Sequence, residues 1–316
     1  MYKKNYVLFL FLLISVIPSS LFALKIDRVI VSSDANPLYL DFWPLVAKTW
    51  KKLTGLTPTL ILIAKKNTSV DTSVGDIVRF DPIPGINHGF QAQVIRLLAP
   101  ALFENEGCLI SDIDMFPLCK DFFTTQVEPY PDDNFIVYRD KAYSLGYKRF
   151  PMCYTAAKGS VFKEIFHIHS KEQILEILKK WHSLGIGWCT DEVLLYNYVT
   201  TWQHYTTKCI KLGHSEIRRI DRSKWYYHPQ KVNNLWYLDA HSIRPYNTYK
   251  KEIDTLISLL DQKHHNHNKT IQERFSPLQK HFFCHAIRIK GKIPLIDDEK
   301  TGYRQKIHRN KYFRLS

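Results

Sequence analysis

The chain is short of the residues that interrupt or repeat structure. It carries 12 glycines and 15 prolines in 316 positions, with no internal repeat and no low-complexity tract. This excludes collagen-like, solenoid and compositionally disordered architectures. Its six cysteines (Cys108, Cys119, Cys153, Cys189, Cys209 and Cys284) form no CxxC pair and no zinc-like spacing. Their even number is compatible with disulfides. Small buried hydrophobes are the other reading, above all for Cys108. Acidic residues are also scarce, 30 Asp and Glu against 44 Lys and Arg, for a net charge of +14. Apolar material is plentiful: 45% of residues are hydrophobic and 14% aromatic. That is globular composition, sufficient for one large domain or two small ones.

The basicity is local. Residues 263–316 hold 13 Lys and Arg against 4 Asp and Glu. Residues 261–316 therefore read as a basic C-terminal tail suited to an anionic membrane surface or an acidic polymer, with a plain solvated surface as the alternative. At the other end, Lys3 and Lys4 precede "NYVLFLFLLISVIPSSLFAL", twenty residues without a charge. A basic start, an apolar centre and small residues near Ala23 describe a signal peptide over residues 1–24. The same run is nearly long enough to span a bilayer, for which about 20 residues suffice, so an uncleaved signal anchor is the alternative. Both place the remaining chain in the secretory pathway, lumenal and membrane-associated or secreted, where nucleic acid is not an expected partner. The sequons Asn67-Thr68-Ser69 and Asn268-Lys269-Thr270 lie in polar stretches.

From residue 26 the pattern alternates. "KIDRVIVSSD" predicts a strand centred on Val29-Ile30-Val31. Asn36-Pro37 reads as an N-cap and first helical residue, opening a helix that bends at Pro44 and stops at Gly55. Strands follow in "TPTLILIA" and "GDIVRFDPI". A helix is predicted in "HGFQAQVIRLLAPALF", with Phe90, Val94, Leu97 and Ala101 on one side. Cys108-Leu109-Ile110 makes a fourth strand. Strands alternating with helices predict an α/β fold whose mostly parallel central sheet is flanked by helices. Further on, "NFIVYR" and "RFPMCYTAAKG" read as strands. "SKEQILEILKKWHSLG" is a helix opened by a Ser170/Gln173 capping box, and "WCTDEVLLYNYV" is a helix with Thr190 as its N-cap.

The fourth strand runs into "SDIDMF", so Asp112 and Asp114 stand at its carboxyl end, where ligands bind in such sheets. Paired carboxylates suit hard cations such as Mg²⁺ or Mn²⁺, which take one or two carboxylates together with substrate phosphates. The segments "LISDIDMFPL", "GFQAQVIRLLAPALF", "GWCTDEVLLYNYV" and "DAHSIRPY", in this order, resemble the GT-A glycosyltransferases, enzymes that use nucleotide-diphosphate sugars. The resemblance covers residues 26–246. It implies a GT-A-like, Rossmann-related catalytic domain over residues 25–260, with Mn²⁺ or Mg²⁺ as cofactor. By it, Asp114 binds the metal directly, Asp112 binds it through water or holds the donor ribose, and His241 completes the shell. Ser33 and Asp34 face the nucleotide base. Arg96 lies near the diphosphate or pairs with a carboxylate of the site, and Arg244 stabilises the departing diphosphate. Asp191, with Glu192 beside it, takes the place of the acceptor's general base. The expected partners are a nucleotide-sugar donor and a glycan, lipid or protein acceptor, with aromatics such as those of "KWYYHP" and "LWYL" lying against acceptor sugars.

Ordinary readings compete: Asp34 as a turn cap, Arg96 as a helix-surface cation, and the histidines at 264–267 as part of a solvated linker. Two other functions also use an apolar strand ending in two acids. One is a phosphatase of the haloacid dehalogenase type, with Asp297 and Asp298 as its second acidic motif. The other is a non-catalytic exported domain that binds sugars or a partner.

Overall fold

The computed structural model describes residues 23–261 apart from Leu145. The expectations for the leader, the basic tail, the histidines at 264–267, the second sequon, Cys284, Asp297 and Asp298 lie outside the described residues. Among the described residues no helix is long and apolar enough to cross a membrane.

The first strands are β1 (Arg28–Asp34), β2 (Thr57–Ile63), β3 (Asp76–Phe80) and β4 (Gly107–Ile110). They are followed by β5 (Met115–Pro117), β6 (Phe135–Val137), β7 (Thr155–Lys158) and β8 (Cys209–Lys211). Short strands β9 (Arg219–Ile220) and β10 (Asp239–His241) complete the set. A seven-stranded sheet has the order β3-β2-β1-β4-β7-β6-β8. Its neighbours are parallel except where β7 runs against β4 and β6. The sheet is thus mixed α/β and mostly parallel, as the alternating pattern predicts, with one reversed strand. A second sheet, β5-β10-β9, is three-stranded.

The apolar runs explain why the large sheet is covered on both sides. Side chains alternate across a strand, so Val29, Val31, Leu60, Leu62 and Leu109 enter one core and Ile30, Ile61, Ile63, Cys108 and Ile110 the other. The first core is closed by helix α2 (Trp43–Thr54), with Trp43 and Trp50 fully buried, and by the helical residues 250–261 through Ile253, Leu256 and Leu260. The second is closed by α3 (His88–Leu98), α4 (Gly159–Phe166), α5 (Lys171–Ser183) and α6 (Thr190–Thr201). β4 can start where it does because Gly107 has no side chain: a Cβ there would lie 1.8 Å from the Lys25 carbonyl oxygen.

Three local expectations need correction. The helix after β1 is two: α1 (Pro37–Leu40), capped by Asn36, and then α2, with the break at Asp41 and Phe42. Proline is tolerated in a first helical turn, where no amide partner is needed, and Pro44 sits in the first turn of α2. Thr190 is the first residue of α6 and not its cap, its hydroxyl donating back to the Gly187 carbonyl at 2.6 Å. The strand expected in "RFPMCYTAAKG" is confined to Thr155–Lys158. The capping box of α5 is present as predicted. All five described cysteines are free thiols.

Candidate active site

β4 hands its chain directly to the site. The Ser111 amide donates to the Ile30 carbonyl, which prolongs the pairing with β1 by one step, and the Met115 amide donates to the Asp112 carbonyl to turn the chain into β5. β5 pairs antiparallel with β10, placing His241 opposite Met115, and the Ser242 amide donates to the Asp114 carbonyl at 2.8 Å. This pairing puts one ligand-bearing atom each of Asp112, Asp114 and His241 within 4.8 Å of one another.

Asp114 is nearly fully buried and ringed by cations. Its Oδ2 lies 3.3 Å from Arg222 Nη1, 3.5 Å from His241 Nε2 and 3.4 Å from Arg244 Nε. Burial pushes its carboxyl up, but the imidazole and the two guanidiniums outweigh that and hold it below the ordinary carboxylate range. Arg244 also lies over the Tyr39 ring, 4.7 Å from its centre.

Asp112 takes its partner from the opposite side. Arg96, on the last turn of α3, pairs with Asp112 through one guanidinium nitrogen and reaches Asp191 Oδ2 at 3.2 Å through another. Gln93, one turn earlier, donates to Asp191 Oδ1 at 3.2 Å and to the Trp188 carbonyl at 2.5 Å. Asp191 is buried in the first turn of α6, which pushes its carboxyl up; Arg96 offsets only part of this. Burial raises Glu192 as well, against the pull of the Tyr143 hydroxyl that donates to it. Arg149 Nη1 stands 3.9 Å from Glu192 and 3.0 Å from Cys189 Sγ.

A cavity of about 1040 Å³ opens beyond the carboxyl ends of β1, β2 and β3, lined by Asp34, Ala64, Lys65, Asp81, Ile83 and Asn87 among others. β1 and β4 are neighbours, and adjacent strands lie about 4.8 Å apart, so cavity and carboxylates share one edge of the sheet. Gln91, fully buried on α3, fixes the cavity wall. Its amide donates to the Ile83 and Ile86 carbonyls at 3.1 and 2.8 Å, and its carbonyl accepts from the Ile83 amide at 2.9 Å. Asn67 of the first sequon is exposed and also lines the cavity.

The residues named from sequence are thus gathered in two groups. Asp112, Asp114, His241 and Arg244 converge; Asp112 is tied through Arg96 to Asp191, whose neighbour is Glu192. Asp34 stands apart at the cavity, its carboxylate accepting from the Asn36 amide at 3.0 Å, so it does form the turn that competed with a binding role. Ser33 is buried, and its hydroxyl donates to the Asp34 carbonyl. Sequence reasoning passed over Arg222, Tyr143 and Arg149. No local pattern marks them: each sits in a loop and meets its acid only through the tertiary fold.

No protein-family model matches the chain, and a comparison with curated proteins finds no match. Among solved structures, the chain is similar to the galactosyltransferase LgtC in complex with donor and acceptor sugar analogs, at 11% identity and a TM-score of 0.44, over 74% of this chain and 95% of that one. It is similar also to an active-site mutant of LgtC, at 12% identity and a TM-score of 0.42, over 69% of this chain and 88% of that one.

Proposed function

We propose that this chain is a metal-dependent glycosyltransferase that moves a sugar from a nucleotide-diphosphate donor to an acceptor hydroxyl. The observation that carries the reading is the convergence of Asp112, Asp114 and His241 within 4.8 Å, at the sheet edge that also opens the large cavity. Two carboxylates and one imidazole are a donor set that fits Mn²⁺ or Mg²⁺, and these three residues would hold the ion. A bound ion supplies positive charge against the developing charge of a diphosphate leaving group.

The chain's own residues do the rest. The cavity wall set by Gln91, with Asp34 at its edge, receives the nucleoside. Arg222 and Arg244, both within salt-bridge distance of Asp114, would pair with phosphate oxygens of the bound donor. Arg96 fixes the spacing between the carboxylate pair and Asp191. In the transfer, the bond from the anomeric carbon to the diphosphate oxygen breaks and its electron pair leaves with the diphosphate. The acceptor oxygen forms the new bond, and its proton passes to Asp191 or Glu192. Raised carboxyl pKa values improve the proton-accepting strength of such a base. The catalytic unit is residues 25–260, working in a secretory compartment supplied with nucleotide sugars.

The test is binding and slow hydrolysis of a panel of nucleotide sugars, with and without Mn²⁺, for wild type and Asp114→Ala. The expected result is metal-dependent cleavage of one donor, reduced by at least about a hundredfold in the variant, as for loss of a group that stabilises transition-state charge. A folded protein that binds no donor overturns the reading.

A further inference from the structure

Between α5 and α6 the chain turns through Leu184, Gly185, Ile186, Gly187 and Trp188. The apolar side chains face outward: Leu184 is 52% exposed, Ile186 36% and Trp188 69%. Both glycines adopt positive φ, 65° and 79°, a conformation that residues with a Cβ seldom enter. The backbone is nevertheless fastened to the site. The Trp188 carbonyl accepts from Gln93, whose amide also reaches Asp191. Arg149 joins the turn to a second exposed segment, bonding Cys189 Sγ and lying 5.1 Å from the centres of both the Tyr143 and Tyr147 rings. Tyr147 is 51% exposed, and Lys148 beside it is exposed. The end of α5 adds exposed Lys179, Lys180 and His182 against a single nearby exposed acid, Glu176.

Outward apolar side chains grouped on a firmly held turn mark a contact surface. Its composition selects the partner. Two of the three side chains are aliphatic and branched, and offer no flat face to a sugar ring. Leucine and isoleucine with a neighbouring tryptophan suit the boundary between headgroups and acyl chains, and a lysine rim suits anionic headgroups. We propose that residues 184–188 seat in the interfacial layer of an anionic bilayer, so that the site around Asp191 opens towards the membrane surface and meets its acceptor there. The uncharged stretch of residues 5–24, if retained as a signal anchor, would hold the chain at a membrane.

The test uses the full chain with phosphatidylcholine vesicles, with and without phosphatidylserine, in which the acyl chains are brominated to quench nearby tryptophan. Wild type is compared with Trp188→Phe and with the double variant Leu184→Ser, Ile186→Ser; unchanged melting temperatures establish folding. The N-terminal stretch is common to all three, so any binding it contributes is the same in each and the differences report the turn. The expected result is quenching in wild type that grows with phosphatidylserine, falls several-fold in Trp188→Phe and falls also in the double variant. Equal quenching in all three overturns the proposal. So does a Trp188 emission shift produced by soluble oligosaccharides and not by lipid, which would make the turn a sugar platform. No donor enters the assay, so its outcome is independent of the transferase reading.

Discussion

Arg96 divides one guanidinium between Asp112 and Asp191, and Tyr143 and Arg149 attend Glu192. Asp112 and Asp191 therefore share a cation, whereas Glu192 has a hydroxyl and a cation of its own, so its protonation can be addressed separately. The Tyr143 hydroxyl lowers the Glu192 carboxyl against a net upward shift, so Tyr143→Phe should raise it further. A base must be deprotonated to act; activity then falls on acidification at a higher pH in the variant than in wild type. The displacement should be about one to two pH units, because a hydrogen bond to a charged group is worth about 1.5–3 kcal/mol and one unit corresponds to about 1.4 kcal/mol. A pH–rate profile of donor-to-acceptor transfer measures it; an unmoved acidic limb would assign the proton to Asp191 alone. At this scale Asp112 and Asp114 were legible because they follow an apolar strand, whereas Arg222 was not. Its approach to Asp114 spans 108 positions of sequence and depends on loops that no local pattern describes.

Among the elements, α3 does the most for the site. One turn holds Arg96 and Gln93 against the acids, and the turn before it holds Gln91 against the cavity wall. Gln91→Leu removes the partners of one amide and two carbonyls in residues 83–86. It should lower stability by about 1–3 kcal/mol for the polar groups left unsatisfied and weaken donor binding about tenfold. Chemical denaturation and donor titration by calorimetry check the two effects, and unchanged donor affinity would separate the wall from the binding site. Elements β1 to β4 and α3 were legible because short apolar strands alternate with an amphipathic helix and each gives way to polar residues. β5, β9 and β10 have two or three residues each. Such strands carry no periodicity of their own and exist through their pairing, which is why His241 could be nominated from sequence but its position opposite Met115 could not.

Over the whole molecule, the two sheets are joined by a buried charge cluster. Asp239 on β10 receives Arg219 from β9 at 2.8 Å and Arg139, two residues beyond β6, at 2.9 Å; Arg139 and Asp239 are both fully buried. Burial pushes the Asp239 carboxyl up, but the two arginines overcome it and hold the group low. Asp239→Asn would leave the buried Arg139 without its counter-charge and Arg219 with Glu216 alone. The expected cost is about 3–5 kcal/mol, read as a lowered denaturation midpoint, whereas a neutral effect would mean that water reaches the cluster.

The distances along the chain within the site carry one more consequence. Arg96 and Asp191 lie 95 positions apart and Asp114 and Arg222 lie 108 apart, and His241 belongs to the last strand described. A nascent or clipped chain that ends before β10 holds every strand of the large sheet yet lacks Arg244 and His241. On the proposed function, chemical competence waits for β10 and Arg244, and detection of transfer would report that the chain has been made at least that far.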